Sequence, residues 1–492
     1  MIPEFPYASR FRHLGSALRS AGFTDRGLQE RLAIDAQDLV RPLDLPTATL
    51  RLGEDVDALA TFVRLFYLNL ETPLALLDLD DPLVAELLDA EALVHDGRTA
   101  HATIRLSPYR DLILASDPLS VAAADLVQGP TVPADLLASV TVRDHADRVL
   151  DLGAGGGVQA LLAARHAGQV TAIDANPRSA WFVQANAALN DVQNITTVTG
   201  DWFGPVDGER FDLIVCNPPY VISPDSTYLY RDNGWDGDDL CWSLLEEAVA
   251  RLNDGGYCHM VCNWIERADD RWPAAVRRRL EDLPCDACVI RYGGSDPLRY
   301  ASVWNRTLKE DRDAHEHVLR RWLAYYDRLQ VREIGQGIVV LRRTHGRRPR
   351  MLLREGRRMP EFGESASEHT KAIFEAMDVA MMSDSDVLES RLMAGPGLRI
   401  EQQYATYDGA QFAVPAATVS LEPGLGVSTL IDPDHVPVVL SLRADRALVD
   451  VVADLDLASS HDGATIANLL RTFRELISLG LVLVSEADLK GS

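Results

Sequence analysis

Asp151-Leu152-Gly153-Ala154-Gly155-Gly156-Gly157 stands between an apolar run over 148–152 and an Ala/Leu-rich run over 158–166. A short apolar run, a glycine cluster and then helical periodicity read as strand, tight turn and helix. Glycines at such a turn let the backbone pass close to a ligand where a Cβ would clash. The dinucleotide fingerprint G-x-G-x-x-G, started from Gly153, would need glycine at 158, and Val158 stands there. What is present is Gly153-x-Gly155-x-Gly157 behind an acid, Asp151, which argues against a nicotinamide oxidoreductase.

Working outward, the same alternation continues. Strands are expected over 170–173, 195–199, 211–216 and 257–262, and helices over 179–190 and 240–252. Further strand-like pieces lie at 287–291, 301–304 and 337–341, with a helix over 312–330. Strands alternating with helices predict an open, mostly parallel α/β sheet with helices on both faces, whose ligands bind at the carboxyl ends of the strands. Those ends are where the distinctive residues fall. Asp174 closes the second strand, where a carboxylate can accept both ribose hydroxyls of a bound nucleoside. Asp201 follows the third strand in Gly200-Asp201-Trp202, placed to accept from an adenine amine with Trp202 beside the ring. The fourth strand, Phe211-Asp212-Leu213-Ile214-Val215-Cys216, runs into Asn217-Pro218-Pro219-Tyr220. Two prolines cannot extend a sheet and make a rigid corner. Asn217 offers a side-chain carbonyl and Pro218 a backbone carbonyl, enough to hold both hydrogens of one NH₂ group, and Tyr220 offers a flat face for a planar group.

The flanks differ. Residues 1–125 read as an α+β module: a helix carrying Phe11, Leu14, Leu18 and Phe23 and ended by Gly22, then helices over 56–69 and 82–93. Asp96-Gly97 is a hairpin signal before a strand at 103–106, and Ser107-Pro108-Tyr109-Arg110 reads as a turn into Leu112-Ile113-Leu114. The catalytic domain is expected over 126–345. Residues 346–492 form a second α+β module, with a strand at 438–440 and a helical stripe of Ile466, Leu469, Leu470, Phe473, Leu476 and Ile477, followed by Gly480 and a strand at 481–484. Helices followed by hairpins suggest winged-helix-like shapes in both flanks.

Composition bounds the function. The 492 residues are 47% hydrophobic and 25% charged, which excludes disordered, collagen-like and coiled-coil classes. A net charge of −25 argues against a general nucleic-acid coat. One stretch is basic nonetheless: Arg342, Arg343, Arg347, Arg348, Arg350, Arg354, Arg357 and Arg358. It reads either as a solvated arm or as a contact for an acidic substrate or RNA backbone. No apolar run approaches the ~20 residues of a membrane helix, and Met1-Ile2-Pro3-Glu4-Phe5-Pro6 lacks the pattern of a secretion signal. All 6 cysteines lie between 216 and 288, which reads as reduced, buried thiols in a cytoplasmic protein. Cys258 and Cys262 share an expected strand, where a spacing of four separates the sulfurs by about 13 Å and argues against a zinc site.

Taken together, the 151–157 loop, Asp174, Gly200-Asp201 and Asn217-Pro218-Pro219-Tyr220 resemble a class I S-adenosylmethionine-dependent methyltransferase. The tetrad marks the subgroup that methylates planar nitrogens, and the run from Phe211 to Val221 is most similar to the HemK-like release-factor glutamine methyltransferases. Asp236-Gly237-Asp238-Asp239-Leu240 and Asp254-Gly255-Gly256 echo the same family, over about 146–262. The resemblance implies a Rossmann-like sheet and S-adenosyl-L-methionine as cofactor. Asp151, Gly153, Gly155 and Gly157 would bracket its methionine part, Asp174 its ribose, and Asp201 with Trp202 its adenine. It implies catalytic roles for Asn217, Pro218, Pro219 and Tyr220 in gripping the acceptor nitrogen, with no metal. Three features depart from the family: Gly129-Pro130-Thr131-Val132-Pro133-Ala134-Asp135 replaces its Pro-Arg-x-x-Thr-Glu segment, the N-terminal module reads as α+β rather than a helical bundle, and a long extension follows Cys262. The acceptor is a macromolecule: a protein glutamine, or alternatively an adenine or guanine amine of RNA or DNA. A small-molecule amine and a non-catalytic cofactor-binding scaffold are the remaining alternatives.

Overall fold

The apolar runs at 148–152, 170–173, 195–199, 211–216 and 257–262 all become strands. The computed structural model describes residues 5–118, 120–121, 123–225, 231, 234–379, 382–406, 412–455 and 463–485. The chain divides into two units: Met1–Ala138, Arg143–Arg271 and Ser295–Gln336 form the first, and Ser139–Val142, Trp272–Gly294 and Gly337–Ser492 the second.

The first unit is built on five parallel strands: β1 (Ala146–Leu152), β2 (Ala167–Asp174), β3 (Ile195–Thr199), β4 (Phe211–Cys216) and β5 (Leu252–Glu266). Their spatial order is β5-β4-β1-β2-β3. The chain therefore starts in the middle, steps outward through β2 and β3, and returns to the far side of β1 as β4. Neighbouring strands whose connections leave in opposite directions open a crevice at their carboxyl ends. Here those strands are β1 and β4, with Leu152 paired to Cys216, so the glycine loop and Asn217 begin side by side. The connections are α1 (Val158–Ala163), α2 (Pro177–Leu189) and α3 (Asp239–Arg251). Asn176 caps α2 by accepting from the Arg178 N–H, and Pro177 fits its first turn. Ala160, Ala163 and Val183 pack on Val149, Val170, Leu213 and Val215 of the sheet.

Among the described residues, six α-helices, Ala8–Ser20, Asp25–Leu32, Leu45–Leu52, Ala58–Phe62, Pro82–Asp89 and Val132–Val140, precede the sheet, with a three-stranded antiparallel sheet built on one hairpin and a second, separate hairpin. The second hairpin corrects the expected turn at 107–110. Ser107 to Tyr109 belong to the strand Arg105–Tyr109, and the reversal falls at Arg110 and Asp111, both at positive φ (49° and 66°). Pro108 is tolerated because this sheet has only two strands. The expected strand at 301–304 is instead part of a helix, Pro297–Trp304, because Asp296 caps it by accepting from the Arg299 N–H and Pro297 begins it. With Arg312–Arg328 it buries Tyr300, Trp322 and Tyr326.

In the second unit Cys285–Ser295 pairs in parallel with Met351–Glu355. Leu398–Gln402, Ala417–Leu421 and Ser428–Ile431 form an antiparallel sheet. The helix Gly463–Ser478 buries Leu469, Leu470, Phe473, Leu476 and Ile477, and the strand Val482–Val484 follows it. The expected strand at 438–440 is a helix, Val436–Leu440, with Pro437 in its first turn. The basic stretch is largely consumed by acids of its own unit. Arg342 donates to Asp286 at 2.8 Å and to Asp378 at 2.9 Å, and Arg347 donates to the other oxygen of Asp286 at 2.8 Å. Arg354 binds Glu475 and Arg358 binds Glu364 and Glu422. All six cysteines are buried and none is in a disulfide. No described helix is long and apolar enough to cross a membrane.

Candidate active site

Each residue named from the sequence on β1 to β4 sits at a carboxyl end, as the strand order requires. A cavity of about 330 Å³ opens there, in the range of small-molecule sites. Asp151, Gly153, Gly155, Asp174, Asp201, Trp202, Asn217 and Pro219 line it. Gly157, Pro218 and Tyr220 are not among the lining residues. Gly157 (φ 80°) begins α1, and a Cβ there would meet Val183 at 3.0 Å, so its demand is for close packing. Pro218 is buried behind the corner. The Tyr220 ring is half-buried against the cluster of Val221, Ile222, Tyr300, Trp322 and Tyr326, and burial pushes its phenol above the usual range.

The backbone of the loop is tied down without filling the cavity. The N–H groups of Gly153 and Ala154 both donate to the Ile173 carbonyl at 2.9 Å. The Gly155 N–H donates to one carboxylate oxygen of Asp174 at 2.7 Å, and the Asn176 N–H to the other at 2.8 Å. Gly153 (φ 73°) and Gly155 (φ 52°) hold left-handed conformations, and a Cβ on either would project into open space. They leave a cradle that side chains would occupy.

The electrostatics are one-sided. Asp151, Asp174 and Asp201 line the cavity, and no Lys, Arg or His does among its described lining residues. Burial pushes Asp151 up to about 7, against the lowering effect of the Ala160 N–H it accepts at 2.8 Å, and Asp174 nearby adds to the rise. Burial also raises Asp174, offset in part by the Asn176 and Gly155 N–H groups. Asn217 Oδ1 is buried with no hydrogen-bond partner among the described residues. Buried acceptors are normally satisfied, so this wall is short of a donor. A ligand that brings hydroxyls, N–H groups and positive charge fits this set.

Sequence reasoning did not assign Gln128, Gly129, Thr131, Gln159, Asn176 and Ser179 to the site, and they also line the cavity. Thr131 starts the helix Val132–Val140, where the segment that departs from the family pattern forms one wall. Gln159 had a signal: it is the lone polar residue in Val158-Gln159-Ala160-Leu161-Leu162-Ala163.

Residues 131–271 match the family described as the methyltransferase small domain. The release factor glutamine methyltransferase of Salmonella typhimurium is 30% identical over 197 residues, 36% of this chain and 68% of that protein. The chain belongs to the HemK-like family of S-adenosylmethionine-dependent methyltransferases. The release factor glutamine methyltransferase of Xylella fastidiosa (strain 9a5c) is 36% identical over 139 residues, 25% of this chain and 50% of that protein. A ribosomal protein uL3 glutamine methyltransferase of Bradyrhizobium diazoefficiens is 33% identical over 147 residues, 26% of this chain and 46% of that protein. The chain thus spans about half the length of most curated relatives it matches. S-adenosyl-L-methionine, the cofactor of this family, fits the site on three counts: the open cradle at Gly153 and Gly155, the unpartnered acceptor, and the excess of carboxylates.

Proposed function

We propose that this protein methylates the side-chain amide nitrogen of a protein glutamine at the crevice between β1 and β4. The observation that carries the reading is Asn217 Oδ1, buried at the cavity wall with no partner among the described residues. When bound, S-adenosylmethionine supplies a methyl carbon whose bond to a cationic sulfur breaks as the amide nitrogen bonds to it, leaving a neutral thioether and one proton for the nitrogen to release. Asn217 and the Pro218 carbonyl accept the two amide hydrogens. Pulling on those hydrogens returns lone-pair density to a nitrogen that resonance leaves poorly nucleophilic, and it fixes the angle of attack. Pro219 holds the corner rigid, and Tyr220 supports it from the aromatic cluster. Asp174 holds the ribose and Asp201 with Trp202 the adenine, while Asp151, Gly153, Gly155 and Gly157 shape the methionine end. No strong base is needed, since the nitrogen becomes acidic once alkylated and its proton passes to solvent.

Relatives named for release factors and for ribosomal protein uL3 support a glutamine acceptor within the translation machinery, and hence action in the cytoplasm. The basic stretch gives little support to an RNA or DNA acceptor, because Arg342, Arg347, Arg354 and Arg358 are paired internally. Radiolabelled methyl transfer into a cell extract, divided between protease and nuclease digestion, tests this. Label released by protease and recovered as N-methylglutamine supports it; label released by nuclease overturns it in favour of a base. Asn217→Ala should lower turnover by about a hundredfold or more while cofactor affinity stays within about twofold.

A further inference from the structure

We propose that Gln159 is a cofactor-binding residue that accepts a hydrogen bond from the α-ammonium of the cofactor's methionine part, an assignment that rests on the S-adenosylmethionine reading of the cavity. Gln159 is 5% exposed. Its Nε2 donates to the Ala134 carbonyl at 2.8 Å, and that bond orients the amide. The other end, Oε1, is then left buried with no hydrogen-bond partner among the described residues. Both Gln159 and Ala134 line the cavity. A carbonyl oxygen so placed needs a donor, and the lining residues supply no cation.

Strand order says which part of the ligand can reach it. Asp201 and Trp202 follow β3 and Asp174 ends β2, so the nucleoside groups lie toward that edge. Gln159 is on α1, directly after the β1 loop, and Asp151 is the penultimate residue of β1. An amino-acid moiety extending from the nucleoside toward Asn217 on β4 therefore passes Gln159 and Asp151 together. A carbonyl and a carboxylate lining one cavity suit an ammonium rather than a second carboxylate. Gln159 then discriminates ligands by their α-amino group and is silent toward the nucleoside.

The test is calorimetric and needs no turnover. S-adenosylhomocysteine carries the amino-acid part, and 5′-methylthioadenosine shares its nucleoside and thioether but lacks that part. Gln159→Leu should weaken S-adenosylhomocysteine by about tenfold or more and leave methylthioadenosine within about twofold. Equal weakening of both ligands would mean a packing role, and unchanged affinity for both would mean no role; either overturns the assignment. Should Gln159→Leu fail to fold, the wild-type protein is titrated with S-adenosylhomocysteine lacking its α-amino group. A loss of about tenfold or more supports the ammonium receptor, and equal affinity overturns it. If the wild-type protein binds none of these ligands, the cofactor reading itself fails and the assignment with it.

Discussion

Asp151 is the residue whose environment does most to set the chemistry of the cavity. Burial and a second buried carboxylate nearby push its carboxyl up to about 7, outweighing the lowering effect of the one backbone N–H it accepts. A free aspartic acid titrates near 3.9. The folded state therefore holds the proton more tightly than the unfolded state, and the unfolded chain binds fewer protons between about pH 4 and 7. Stability then falls as pH rises through that window, by up to about 4 kcal/mol from this group. Asp151→Asn keeps an acceptor for the Ala160 N–H and removes the charge. Melting of the ligand-free protein at pH 5 and pH 8 should show the variant gaining on wild type at the higher pH. A gain of the same size at both values would contradict the proposed origin. The same carboxylate, once facing a bound ammonium, has a partner for its charge, so ligand binding should be tighter at pH 8 than at pH 5.

At the scale of elements, α2 shows how the N-terminal hairpin and the glycine loop are joined. Asn186 accepts from the Ala115 N–H at 2.5 Å and donates to the Ala115 and Gly156 carbonyls at 3.1 and 2.8 Å. One turn later Asn190 repeats the pattern on Ile113, accepting at 2.9 Å and donating at 2.7 Å. Two side-chain amides at i and i+4 thus satisfy the free edge of the strand Leu112–Ser116 as a further strand would. Asn186→Ala would leave three buried backbone groups unpaired, at a cost of about 3 kcal/mol. The denaturation midpoint should fall accordingly, with cofactor affinity falling too because Gly156 loses its restraint. Sequence periodicity could not reveal this pairing, since Asn186 and Ala115 are 71 positions apart. The same limit explains the two short apolar runs misread as strands at 301–304 and 438–440. Runs of that length suit either conformation, and the proline in the first turn, with the Asp296 cap in one case, tips them to helix.

At the scale of the whole molecule, the second unit turns on Asp286, which has no exposed side-chain surface and is surrounded by Arg342, Arg347 and the Arg350 N–H. Burial alone would raise its pKa; the hydrogen bonds from Arg347 and Arg342 overcome that and hold it below the usual range. Arg347→Ser should cost about 3 kcal/mol of stability by leaving the carboxylate short of a partner, while the affinity for the methyl acceptor stays unchanged. Weakened acceptor binding in a variant of undiminished stability would restore the basic stretch as a substrate contact. The sign of the pH effect is opposite to that of Asp151: a lowered carboxylate stabilises above its unfolded pKa, and that stability is lost as pH falls through the folded value.

Much of the first unit was legible in the chain alone. Strand, glycine turn and helix are local patterns, enforced by the conformational range of glycine, the rigidity of proline and the period of apolar residues. They were enough to predict five strands and to place Asp151, Asp174, Asp201 and Asn217 at strand ends. Tertiary structure decided the rest: which polar groups find partners. The orphaned oxygens of Gln159 and Asn217, the wall formed by Thr131 and the neutralisation of Arg342 and Arg347 all depend on groups brought together from distant positions. Hydrogen-bond satisfaction belongs to the packed interior as a whole, and no local pattern encodes it.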